Sequence, residues 1–237
     1  MLFNLNWQSI ILLYLFANLI FSAVVLSIRA SRDKNAANTW LAILIWLSAL
    51  YLIPWMTGHA GWYAHDIYRE ILFFIPFQQL FLFGPVILLY TMRVTHLLWQ
   101  KAIPVWVHFI PALLYNLYIA VIGMYDLLIA DSFFFYADGR DKDLAAWYQL
   151  SGFFSIFCYL VISLGIYRKY KQRIYEMVSY ADSIRLNWLR NFLVTFFLLI
   201  FIRFIFYLLF PQFGDFGSKF WYYLVFAILT LYIAFRG

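Results

Sequence analysis

Seven apolar stretches, each near the length of a membrane span, set what this chain can fold into. They cover residues 7–28, 39–57, 71–91, 104–124, 147–167, 190–210 and 220–235. A helix needs about 20 predominantly apolar residues to cross the hydrocarbon core of a bilayer. The chain is 66% hydrophobic and 12% charged, against roughly 45–50% and about 25% for soluble domains. A water-soluble fold of 237 residues cannot hide that much apolar surface. The expected fold is an all-α membrane protein, a single bundle of seven transmembrane helices.

Charge predicts the orientation. Of 17 Lys and Arg, twelve fall after stretches 1, 3 and 5 and at the C-terminus, four fall on the other side, and Arg203 lies inside stretch 6. Cytoplasmic loops carry the excess of basic residues, so the N-terminus is expected outside and the C-terminus in the cytoplasm. Asp66, Glu70, Asp126, Asp138, Asp141 and Asp143 fall in the outer connections. The first stretch lacks a basic start and exceeds a signal-peptide core, so it reads as a true span.

Stretch 3 holds Pro76, Gln78, Gln79 and the pair Gly84-Pro85. Proline removes a backbone donor and disturbs the preceding turn, so Gly84 and Pro85 are the expected hinge. Gln78 and Gln79 are polar groups outward of it. They either line a polar cavity or make ordinary interhelical hydrogen bonds. Asn116 is a similar lone polar group in stretch 4, which Pro111 is expected to kink. Arg203 is the one charge well inside a span, at a cost of at least about 2.5–3.5 kcal/mol. It can snorkel to the outer interface, pair with Glu70 or Asp66, or face an anionic ligand. The row Ser151, Ser155, Tyr159 and Ser163, with Gly152 beside it, reads as a helix-packing face.

Between stretches 5 and 6, Ile174, Met177, Val178, Ala181, Ile184 and Trp188 fall on one helical stripe. Four basic residues precede it. Residues 174–189 are expected to form an interfacial cytoplasmic helix, lying on an anionic leaflet or docking an output partner. No span carries Asp or Glu, the usual groups of proton relays. No nucleophile–base signature, phosphate loop or metal-ligand spacing is present. No enzyme activity, metal or cofactor is expected.

Phe83-Gly84-Pro85 with Tyr90, His108-Phe109-Ile110-Pro111, Tyr180-Ala181, Trp188-Leu189-Arg190 and Tyr232-Ile233-Ala234-Phe235-Arg236-Gly237 carry a resemblance over nearly the whole chain. It resembles the N-terminal membrane region of bacterial membrane-bound AraC-type transcription regulators, related to the input regions of sensor histidine kinases. The resemblance implies a sensory domain in the bacterial inner membrane, responding to an unidentified small ligand or membrane signal. It also implies a homodimer, and DNA contact only through a C-terminal helix-turn-helix domain. No such domain lies within these residues, so a truncated sequence is expected. The competing expectation is a small-solute transporter, favoured by the broken stretch 3.

Overall fold

The computed structural model describes residues 3–96, 104–130, 134–177, 180–209 and 219–237. The side chains of 174–186 and 207–209 lie outside that description. The described residues form eight α-helices and no strand: α1 Trp7–Asp33, α2 Ala36–His59, α3 Asp66–Phe74, α4 Leu80–Thr95, α5 Ile110–Tyr125, α6 Ala146–Met177, α7 Tyr180–Leu209 and α8 Phe220–Arg236. Five segments are long and apolar enough to cross a membrane: Trp7–Asp33, Ala36–His59, Val105–Ala130, Ala146–Arg173 and Asn187–Phe206. The helices Leu80–Thr95 and Phe220–Arg236 are apolar but shorter. The fold is therefore all-helical and compatible with a multi-pass membrane protein.

The helix ends follow local chemistry. Asn6 caps α1: its Oδ1 accepts from Ser9 N–H at 2.7 Å, and Ser9 Oγ accepts from Asn6 N–H at 3.0 Å. This reciprocal pair satisfies donors that a helix start leaves open. Asn6 Nδ2 also donates to His59 O at 2.8 Å, tying the start of α1 to the end of α2. Lys34, in the left-handed conformation at φ 49, ends α1, and Asn35 caps α2.

Apolar side chains turn outward all round the bundle. Tyr14 and Phe21 of α1, Leu113 and Leu117 of α5, Phe154 of α6 and Phe201 of α7 are exposed. Contiguous apolar surface on this scale is a lipid-facing or docking surface rather than a wet one. The buried centre is formed by α2 and α4. Leu44, Ile45, Tyr51, Leu52 and Trp55 of α2 and Phe83, Val86 and Ile87 of α4 are almost fully enclosed. Helices apolar on every face belong at such positions.

Stretch 3 departs from expectation. The helix is interrupted at Ile75–Gln79, and Pro85 lies inside the continuous helix α4. The cause is Pro76, which disfavours helical geometry at the residue before it. Ile75 is accordingly extended, at φ −102 and ψ 113. Gly84 instead permits close approach, since a Cβ there would clash with the Tyr159 ring of α6. Gly152 does the same from α6, where a Cβ would lie 2.5 Å from Leu80 Cβ. Pro111 also differs from expectation. It sits in the first turn of α5 after the short 3-10 turn Val105–Phe109 and starts the helix rather than kinking it, because the first turn needs no donor from it.

Within the stretch 174–189, residues 178 and 179 lie outside the described ones. Its described residues are shared, 174–177 at the end of α6 and 180–189 at the start of α7. Ile174 and Met177 belong to α6 and Ala181 to α7, with side chains outside the described ones. Val178 lies outside the described residues altogether. Trp188 is described: its Nε1 donates to Tyr90 Oη of α4 at 2.6 Å.

The tight α4–α6 seam yields a prediction. Gly84→Ala should lower the unfolding free energy in detergent by about 1–3 kcal/mol, the usual cost of overpacking. Gly165→Ala should not lower it and should raise it by up to about 1 kcal/mol, because α6 gains helix propensity and no packed neighbour lies within 4 Å of the added carbon. Equal effects of the two would mean that α4 and α6 are not held at this distance.

Candidate functional site

A helix that stops inside a bundle leaves backbone donors and acceptors without helical partners. In an apolar surrounding each such group costs several kcal/mol unless it is satisfied. The break at Ile75–Gln79 poses this problem, and residues from the connection between α5 and α6 answer it. Asp141 opens a short turn, Lys142–Leu144, which carries Asp143 into the interior ahead of α6. Asp143 is 1% exposed. Its carboxylate accepts from Gln78 N–H at 2.8 Å and from Tyr115 Oη of α5 at 2.6 Å.

Tyr148, in the first turn of α6, closes the other side of the break. Its hydroxyl donates to Gln78 O and accepts from Leu80 N–H at 3.1 Å. The Tyr148 ring stacks on that of Tyr115, with centroids 3.7 Å apart. One carboxylate and one phenol thus complete both polarities of the interrupted backbone. A negative group is also favoured at the start of α4 by the helix dipole. We call this arrangement the clasp.

The clasp continues inward as a polar network. Gln149 Nε2 donates to Gln78 Oε1 at 2.7 Å and to Asp143 O at 2.6 Å. Gln149 Oε1 accepts from Arg203 Nη2 of α7 at 3.2 Å. The Arg203 guanidinium lies over the rings of Tyr222, at 4.7 Å, and Phe153, at 5.4 Å, which offsets part of the cost of holding a cation among apolar groups. Gln78 Nε2 makes a long contact of 3.5 Å to Tyr223 Oη of α8. Gln79 and Asn116 exchange two hydrogen bonds, at 2.8 and 3.1 Å.

Gln78, Gln79, Asn116 and Arg203 therefore lie in or beside one cluster. Asp66 and Glu70 do not join it. Asp66 is exposed on α3 and accepts from Arg69 Nη2 at 2.6 Å, and neither carboxylate pairs with Arg203. Gly84 lies one turn into α4, against Tyr159 rather than in the polar cluster. Among the described residues, Arg203 meets the Gln149 amide and the rings of Phe153 and Tyr222. Next to it, Tyr51, Phe153, Tyr222 and Phe226 help line a cavity of about 20 Å³, room for about one water molecule.

Sequence reasoning missed Asp141, Asp143, Tyr148 and Gln149. It assigned the two aspartates to the solvated outer side, and both are buried. Asp141 Oδ1 accepts from Asp143 N–H at 2.9 Å, and Asp141 Oδ2 accepts from Tyr63 Oη at 3.2 Å. Burial pushes the Asp141 carboxyl well above the usual aspartate range, and the adjacent Asp143 charge pushes it further. Burial raises Asp143 too, with the Gln78 N–H and the Tyr115 hydroxyl opposing the shift. The signal that could have found them is Pro76. A proline-broken span frees donors that need an acceptor, and carboxylates of the facing loop are the strong ones.

Among the described residues, no three His, Cys, Asp or Glu side chains gather in a metal-binding arrangement. Comparison with protein-family models, curated proteins and solved structures yields no match.

Asp143→Ala should destabilise the protein by about 1–3 kcal/mol or more, because it strands buried donors. Tyr115→Phe should cost less. A double-mutant cycle between the two should give a coupling of about 0.5–3 kcal/mol. Coupling near zero would show that the carboxylate and the Tyr115 hydroxyl do not meet.

Proposed function

We propose that the chain is a membrane-embedded signal-input module of the bacterial inner membrane. In this reading it crosses the bilayer seven times, with α3 and α4 forming one interrupted crossing, the N-terminus outside and the C-terminus in the cytoplasm. The distribution of Lys and Arg supports that orientation. The output implied by the family resemblance is a DNA-binding AraC-type effector outside these residues; a histidine kinase is the alternative output.

The observation that carries the reading is the pair of anchors on α4. Its outer end is held by Asp143 and Tyr148 through the break. Toward its other end, Tyr90 accepts from Trp188 Nε1 and packs on Phe192, with ring centroids 4.6 Å apart. Trp188 in turn lies beside Gly237, where a Cβ would be 3.1 Å from its ring. One rigid element thus connects a polar clasp on one side to the tail of the chain on the other. A signal acts through such an element only by binding its two arrangements with different affinity. Loosening the clasp frees α4 from α6 and shifts Trp188 against the tail.

A transporter is the second reading, favoured by the same broken helix, since interrupted helices with polar groups at the break hold solutes in transporters. Two experiments separate the readings. With Asp143→Asn or Tyr148→Phe introduced at the native locus of the host bacterium, both variants should shift the same set of transcripts. Proteoliposomes of the wild-type chain should accumulate candidate solutes no faster than empty vesicles. Unaltered transcript profiles in both variants, or solute uptake that needs the chain, would reject the signalling reading. For topology, a reporter active only in the periplasm and fused after Gly237 should be silent; an active fusion would reverse the orientation.

A further inference from the structure

Asp141 and Asp143 are separated by one residue, and both are buried, at 3% and 1% exposed. Their partners differ. The Asp143 carboxylate accepts two short hydrogen bonds, one on each oxygen, from Gln78 N–H at 2.8 Å and from the Tyr115 hydroxyl at 2.6 Å. Such a set favours the ionised form. Asp141 faces one backbone N–H, from Asp143 itself, and one phenol, Tyr63, at 3.2 Å. Lys142 between them carries the nearest ammonium, but its Nζ is turned to Asp138 Oδ1 at 3.4 Å and lies over the Tyr136 ring at 5.1 Å. From α6 Tyr148 stands beside the pair with its hydroxyl on Gln78 O and Leu80 N–H. From α7 Arg203 reaches it only through Gln149, and from α8 Tyr223 reaches it only through Gln78. Two negative charges in this enclosure have no cation in direct contact among the described residues.

We propose that the clasp is a proton-operated latch, in which Asp141 holds a proton while Asp143 stays ionised on the break, and loss of that proton opens the 141–149 segment from α4. This rests on the clasp being the input site, and it names the outer-side proton concentration as what the site reads. The burial that raises the Asp141 carboxyl is consistent with it. The sign is fixed by linkage. A carboxyl with a raised folded-state pKa stabilises the closed form fully below the ordinary aspartate value of about 4. That contribution is lost as the pH climbs from there through the raised value. The latch is therefore closed in acid and loosens toward alkaline pH.

The test uses the full chain in lipid nanodiscs. Hydrogen exchange, corrected for intrinsic rates, is followed at 75–80 and 141–149 across the pH range. Protection of both segments should fall together, by up to about tenfold per pH unit, as expected for release of one proton on opening. The double variant Asp141→Asn, Asp143→Asn should lose this slope. A wild-type chain with flat protection, or a slope that survives in the double variant, overturns the latch. As a second measurement independent of variant folding, the infrared spectrum of the wild type near neutral pH should show the C=O stretch of a protonated carboxyl, which fades on alkalinisation. Its absence also overturns the latch. These readouts concern only the clasp, so a working latch with unchanged transcripts would reject the signalling reading alone, and a failed latch would leave that reading standing.

Discussion

An interrupted backbone inside an apolar bundle must find hydrogen-bond partners, and that requirement organises the rest of this structure. Pro76 ends α3, the Gln78 N–H finds its partner in Asp143, and Tyr148 adds a second partner to Gln78 O and Leu80 N–H, which also bond to each other. The consequences spread outward. The connection between α5 and α6 must fold inward, Asp141 is buried with it, and Gln149 is brought within reach of Arg203. Removing one partner from such a set costs more than the mean value of a hydrogen bond, because a desolvated group is left behind.

The molecule is apolar outside and carries its polar network within. The outward residues of α1, α5, α6 and α7 are large and apolar, while tyrosine, glutamine, aspartate and arginine side chains meet between α4, α5, α6, α7 and α8. Lipid tails are as apolar as leucine, so the hydrophobic effect does little to hold helices together in a bilayer; close packing and interhelical hydrogen bonds do more. Gly84 against Tyr159 and Gly152 against Leu80 supply the first, and the clasp and the Gln79–Asn116 pair supply the second.

The long apolar stretches were legible in the sequence because span length and hydropathy are local properties. So was the polar character of Gln78, Gln79, Asn116 and Arg203. The location of the break was legible only in part. Gly84-Pro85 looks the stronger signal in isolation, yet tertiary packing keeps α4 helical through Pro85, while Pro76 has an extended residue before it. The burial of Asp141 and Asp143 was not legible. Nothing local separates a solvated loop aspartate from one drawn into a bundle by a donor 65 residues away in the chain. The same limit applies to Arg203, which among the described residues meets an amide and two rings, while Asp66 and Glu70 lie elsewhere.

The turn between α1 and α2 bears on how the bundle is built. Only Lys34 and Asn35 separate the two helices, and the chain from Asp33 to Ala36 reaches about 11 Å at most. Helices packed side by side lie about 8–10 Å apart, so the connection leaves almost no slack. The short link holds α1 and α2 together as a hairpin, so α2, the buried centre of the bundle, is covered on one flank by its own neighbour in the chain.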